Sequence, residues 1–199
     1  MHISEGYLSA TVLVSGGALA AAGTAIGLKK LDYDRIAEAG MLTAVFFTAS
    51  LVHVPIGPAS AHLIMNGMIG LLLGWAAFPA ALTALILQAV FFQFGGITTL
   101  GVNTLSIAVP AVVVHYVCGP WIHRRGWIAL AAAFAAGAGA VVLAALIMAA
   151  SLVFTGEQFM TVAAAAVAMH LPIMAIEGVI TLFCVGFLKA VKPEMLPIP

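Results

Sequence analysis

The chain has 199 residues, of which 64% are hydrophobic and only 7% charged. Soluble domains carry about 25% charged residues, so this composition describes an integral membrane protein with little room for a soluble domain. Its seven basic and seven acidic residues cancel, and Cys118 and Cys184 form no Cys-x-x-Cys; nothing points to nucleic acid, a zinc ribbon or a disulfide framework.

The chain opens Met-His-Ile-Ser-Glu-Gly-Tyr-Leu. These eight residues hold no Lys or Arg, unlike the basic start of a secretory signal, so Met1 is expected to be retained. A histidine at position two then offers three nitrogens: the Met1 α-amine, the His2 backbone amide and the His2 imidazole. The first two close a five-membered chelate ring on a metal, and the last two a six-membered ring through Nδ1. Three nitrogens in one plane suit Ni(II) or Cu(II) before Zn(II). The bound form needs an unprotonated amine and imidazole, so affinity should fall in acid.

Apolar runs follow, measured against the roughly 20 residues a transmembrane helix requires. They cover residues 9–28, 36–54, 62–75, 79–94, 103–121, 128–154 and 160–191. Two breaks stand out. Pro55-Ile56-Gly57-Pro58-Ala59-Ser60 cannot be helical throughout, and Phe94-Gly95-Gly96-Ile97-Thr98-Thr99-Leu100-Gly101 is glycine-rich. Lys29, Lys30, Arg35, Arg124, Arg125, Lys189 and Lys192 all fall on the cytoplasmic side if the seven runs cross the membrane with the N-terminus outside. The expected fold is therefore an all-α integral membrane protein of one domain, residues 1–199. It has seven transmembrane helices, the N-terminus outside and the C-terminus inside. Met1, His2, His62 and both breaks then share the outer face. Interrupted backbone at membrane depth survives where it is buried or lines a cavity, so the breaks are expected to be re-entrant loops walling a pocket.

Each polar candidate has two readings. His62 is a fourth in-plane metal ligand or a helix-starting residue bonded to backbone. His53 is a rival metal ligand, a partner to a bound ligand, or an interfacial histidine. Gln93 and Asn103 flank the glycine-rich break and could accept the free N–H of a metal-bound histidine, or simply cap and bond the loop. His170 and Glu177 lie seven residues apart, on one helix face. They form a second metal or proton site or a buried polar pair that fixes packing. Gly16, Ala20, Gly23 and Gly27 make a small-residue stripe on the first helix that allows close approach of a neighbour.

The octapeptide, Val54-Pro55-Ile56 with a downstream His62, Gly95-Gly96 followed by Leu100-Gly101-Val102-Asn103, and His170-Leu171-Pro172 with Glu177-Gly178 run in order along nearly the whole chain. Together they resemble the CbiM/NikM family, the cobalt- and nickel-binding S-components of energy-coupling factor transporters. The resemblance implies a metal held by the Met1 amine, the His2 amide and ring, and His62. It implies a bacterial or archaeal cytoplasmic membrane and Ni2+ or Co2+ as transported substrate. It further implies a transmembrane coupling subunit docked on small-residue stripes, two ATPase subunits and a small accessory membrane protein. Where nickel members carry Gly-Gly-Thr-Thr and cobalt members Ser-Cys-Ser, this chain has Gly57-Pro58-Ala59-Ser60-Ala61, which matches neither.

The chain lacks a Gly-x-x-x-x-Gly-Lys-Ser/Thr loop and so has no such ATP site of its own. Two further function classes remain. An intramembrane metalloenzyme would be expected to carry a motif such as His-Glu-x-x-His, absent here, and a site with four nitrogens leaves no open in-plane position. A passive channel for a small solute would bind no metal.

Overall fold

The computed structural model describes residues 2–56 and 59–196. Seven α-helices lie among them: α1 (Ala10–Lys30), α2 (Ile36–Ala49), α3 (Asn66–Leu73), α4 (Ala77–Phe92), α5 (Leu100–Ile122), α6 (Trp127–Thr155) and α7 (Met160–Val191). Between α2 and α3 the chain forms an antiparallel ribbon of β1 (His53–Ile56) and β2 (Ala59–His62), with His53 opposite His62 and Ile56 opposite Ala59.

Five helical segments are long and apolar enough to cross a membrane: α1, Asn66–Phe92, α5, α6 and Glu157–Val191. The second of these contains both α3 and α4. At 14 residues α2 is about 21 Å long, short of a hydrocarbon core of about 30 Å. Exposed apolar side chains such as Val14, Phe91, Tyr116, Phe183 and Phe187 ring the bundle, as a lipid-facing surface requires.

Contacts sort the helix ends into two groups. At one end Lys30 lies over the Trp75 ring, Arg35 donates to Leu72 O and pairs with Glu38, and Lys189 donates to the carbonyls of Ile122 and Arg124. The other end gathers residues 2–9, β2, the C-terminus of α4, the N-terminus of α5 and the C-terminus of α6. The α3–α4 junction lies at the basic end, where Gly74 adopts φ 53° and lets the chain reverse.

The core is built around α3, whose residues Asn66–Leu72 are all buried. It packs against α5, α6 and α7. A Cβ on Gly67 would lie 2.6 Å from both Ala136 O and Gly137 Cα, so α3 and α6 meet backbone to backbone. Gly70 meets the Ala111 backbone on α5 in the same way.

Four expectations change. The second helix ends at Ala49 rather than Val54, and His62 lies in β2 instead of opening the third helix. The Pro55–Ala61 loop forms strand pairing over its described residues, while Gly57 and Pro58 lie outside them. The α1 stripe is also already occupied. Gly16, Ala20, Gly23 and Gly27 are the buried residues of α1; Gly16 faces Val102, Gly23 the Phe78 ring, and Gly27 both Trp75 O and Pro79. A stripe that seats α4 and α5 inside the molecule is not free to dock a partner.

Gly67→Ala should destabilise the protein by about 1–3 kcal/mol, because neither neighbouring atom is a movable side-chain end. Gly40→Ala on α2, where a Cβ meets nothing within 4 Å, should be neutral or stabilise by about 0.5–1 kcal/mol. Thermal unfolding in detergent compares the two.

Candidate metal centre

Residues 2–9 run across one end of the bundle and are tied down at several points. Asn103, in the first turn of α5, accepts Ile3 N–H at 2.9 Å and donates Nδ2 to Ile3 O at 3.1 Å. One amide side chain thus satisfies both polar groups of a peptide segment, as a neighbouring strand would. The Asn103 Nδ2 also donates to Thr99 Oγ1 at 3.1 Å. Glu5 Oε1 accepts the Thr98 N–H at 3.1 Å, and Ser9 N–H donates to Thr155 Oγ1 at 3.3 Å. Ile3 and Leu8 bury their side chains in the core.

This strap sets the His2 ring against His62. The ring centroids are 4.7 Å apart and the planes differ by 27°. Phe94, just beyond α4, stacks on both, at 6.1 Å from His2 and 6.3 Å from His62. Gly95 makes room: its φ is 75°, and a Cβ there would lie 2.9 Å from Asn103 Nδ2 and 3.6 Å from His2 Cβ. Both ring nitrogens of His2 are buried without a hydrogen bond. Buried polar atoms are almost always bonded, so two unbonded nitrogens on one imidazole set this ring apart. Gln88 of α4 lies beside it. Its Nε2 donates to Ser50 Oγ at 2.8 Å, while its Oε1 is buried and unbonded.

Burial holds the His2 imidazole well below its ordinary pKa. The ring is therefore neutral at physiological pH, the form that ligates a metal. The stack itself is not a coordinated arrangement. Ring lone pairs lie in the ring planes, so two ligating imidazoles must turn their edges toward a common point. Among the described residues no three His, Cys, Asp or Glu side chains surround such a point. Further donors would have to come from backbone nitrogen or the amino terminus. Met1 lies outside the described residues.

The remaining candidates separate. Asn103 is at the site, but its side chain holds the Ile3 backbone rather than a histidine N–H. Gln93 is exposed at the C-terminus of α4, in left-handed conformation, and caps that helix. His53 is placed by its backbone opposite His62, while its side chain lies outside the described ones. His170 and Glu177 are both buried on α7 but make no bond to each other. His170 Nδ1 donates to Ala166 O at 2.6 Å, and Glu177 Oε1 accepts from the backbone of Ile64 and Met65. Gln88, Glu5 and Phe94 were not singled out from sequence. Gln88 carried a usable signal, as the one polar side chain besides Thr83 in the run 77–92.

Long apolar helices define a membrane protein, and residues 2–9 lie across one end of its bundle with His2 stacked on His62. The match to known proteins makes the class specific. Residues 2–195 fit the family model for CbiM, the cobalt uptake substrate-specific transmembrane region, and the chain belongs to that family. A Haemophilus influenzae relative named for metal transport is 37% identical, over 98% of this chain and 97% of its own length. The fused nickel transport protein NikMN of Rhodobacter capsulatus is 32% identical, over 98% of this chain and 64% of its own. A crystal structure of a transition metal transporter superposes with a TM-score of 0.81 at 27% identity, covering 97% of this chain and 94% of that one. The protein is thus a multi-pass membrane protein of a cobalt and nickel transport family.

The His2 shift carries a pH dependence. Its folded pKa lies below the unfolded value of about 6.5, so its contribution to stability is present above that pH and is lost as pH falls below it. The metal-free protein should melt lower at pH 5 than at pH 7, and His2→Ala should flatten that slope. Calorimetry in detergent reads both. Asn103→Ala frees the Ile3 N–H and C=O together and should cost about 1–3 kcal/mol, measured by the same method.

Proposed function

We propose that this chain captures Ni2+ or Co2+ as the S-component of an energy-coupling factor transporter. The observation that carries the reading is the buried, unbonded pair of ring nitrogens on His2, stacked on His62. The ligand set is the Met1 amine, the His2 amide, His2 Nδ1 and His62, four nitrogens in a near-planar array. Loading turns the stacked rings edge-on to the ion. Asn103, Glu5 and Gly95 fix where the His2 backbone lies, so the chelating nitrogens need little further ordering.

The chain crosses the membrane seven times, with the His2 end outside and the basic end inside. The sorting of Lys30, Arg35, Arg124 and Lys189 to one end supports this. So does the reversal at Gly74, which makes α3 and α4 two separate passes. The β1–β2 ribbon and the 95–101 segment then dip from the outer face and wall the pocket. Release of the ion inward depends on partners: a coupling membrane subunit, two ATPase subunits and a small accessory membrane protein.

Purified protein exposed to an equimolar mixture of Ni, Co, Cu and Zn should retain close to one equivalent of metal. His2→Ala and His62→Ala should each lose nearly all of it. One residue added ahead of Met1 converts the amine to an amide and should do the same without touching a side chain. Stoichiometric nickel or cobalt in the extended protein at neutral pH would overturn the ligand set. Topology is tested separately. A reporter fused after Pro199 should read cytoplasmic, and a periplasmic signal would reverse the orientation.

A further inference from the structure

Glu177 is fully buried near the middle of α7. Its Oε1 accepts two backbone N–H groups from the far side of the chain, Ile64 at 2.5 Å and Met65 at 2.8 Å. Those residues join β2 to α3, and His62 lies only two positions before Ile64. Two residues span at most roughly 7 Å. Met65 is held at φ 56°, a left-handed conformation rare for an unbranched non-glycine residue, and no side chain of its own segment caps α3. Such backbone persists only where the surroundings over-determine it. Glu177 is that determinant. It accepts the N–H of Met65, the residue that caps α3, as the glutamate of a capping box would, from 112 residues away.

The carboxylate is also well anchored. At Glu177 the backbone of α7 touches α6: a Cβ on Gly137 would lie 2.5 Å from both Glu177 O and Thr181 Oγ1, and Gly178 packs on the Phe134 ring. The chain therefore runs from a rigid α6–α7 contact, through one carboxylate oxygen, to the backbone that carries His62.

We propose that Glu177 is a positioning residue for the metal site: its carboxylate fixes the Ile64–Met65 backbone and so sets where His62 presents its ring. The inference rests on His62 being a ligand, as argued above. It makes no use of charge, only of an acceptor at the Oε1 position. A glutamine, whose Oε1 also has two lone pairs, can replace it; an alanine or aspartate cannot.

The test uses the full chain loaded with Cu(II) alone, whose electron paramagnetic resonance counts bound nitrogens, alongside affinity and melting temperature. His62→Ala should show one nitrogen fewer than wild type. Glu177→Ala should reproduce that loss and weaken metal binding by about 10–100-fold. Glu177→Asp, which keeps charge but withdraws the oxygen by one methylene, should do the same in part and serves if the alanine variant does not fold. Glu177→Gln should keep the full nitrogen count and near wild-type affinity. If His62→Ala retains every nitrogen, the ligand assignment itself falls. If it loses one while Glu177→Ala or Glu177→Asp keeps them all, positioning by Glu177 is overturned. Loss in Glu177→Gln equal to that in Glu177→Asp overturns it too, because charge rather than acceptor geometry would then matter.

Discussion

A backbone N–H inside a membrane protein must find its acceptor within the protein, since hydrocarbon offers none. Among the described residues between Ala49 and Asn66 no α-helix supplies one. Everything distinctive about this end of the molecule answers that requirement. The ribbon bonds its own strands. Ser50, fully buried, donates to Phe47 O and accepts from Gln88. Glu177 takes the two N–H groups ahead of α3. The same accounting holds on the other side of the pocket, where Asn103 serves Ile3 and Glu5 serves Thr98. Non-helical backbone is thus bought with four polar side chains, Asn103, Thr155, Glu177 and Glu5, drawn from α5, α6, α7 and the strap, and it leaves two imidazoles face to face.

Much of this was legible in the sequence, for identifiable reasons. Long apolar runs bounded by basic pairs and glycine breaks gave the longer helices to within a few residues. His2 was chosen on its chelate chemistry and His62 on the shared outer face and the family resemblance, and the fold brings their rings into contact. The ribbon was not legible, because Val54-Pro55-Ile56-Gly57-Pro58-Ala59 has no period-two alternation and its prolines suggested only a loop. The early end of α2 was hidden for a related reason. Residues 50–54 are apolar enough to continue a helix, and what stops them is the pairing that follows.

Polar residues were located better than they were explained. Of the two readings left open for Asn103, histidine partner or backbone bonding, the structure shows the second, a grip on a peptide. Glu177 and His170 share a helix face, as their spacing required, yet each bonds a separate stretch of backbone. Spacing on a helix reports which direction a side chain points, and not which partner from a distant segment will meet it. The small-residue stripe of α1 makes the same point: its ability to admit a neighbour was plain, but which neighbour depended on α4 and α5 being close at hand.

The grip of Asn103 on both polar groups of Ile3 has a consequence for register. Strand-like pairing has a period of two, so a shift of one residue exchanges the inward and outward faces. Ile3 is buried in the core, and His2 meets the ring stack only while Ile3 occupies that place. The amide therefore works as an index mark rather than a fastener. It counts the chain to a single position, and it converts the depth of one isoleucine into the location of the ring before it.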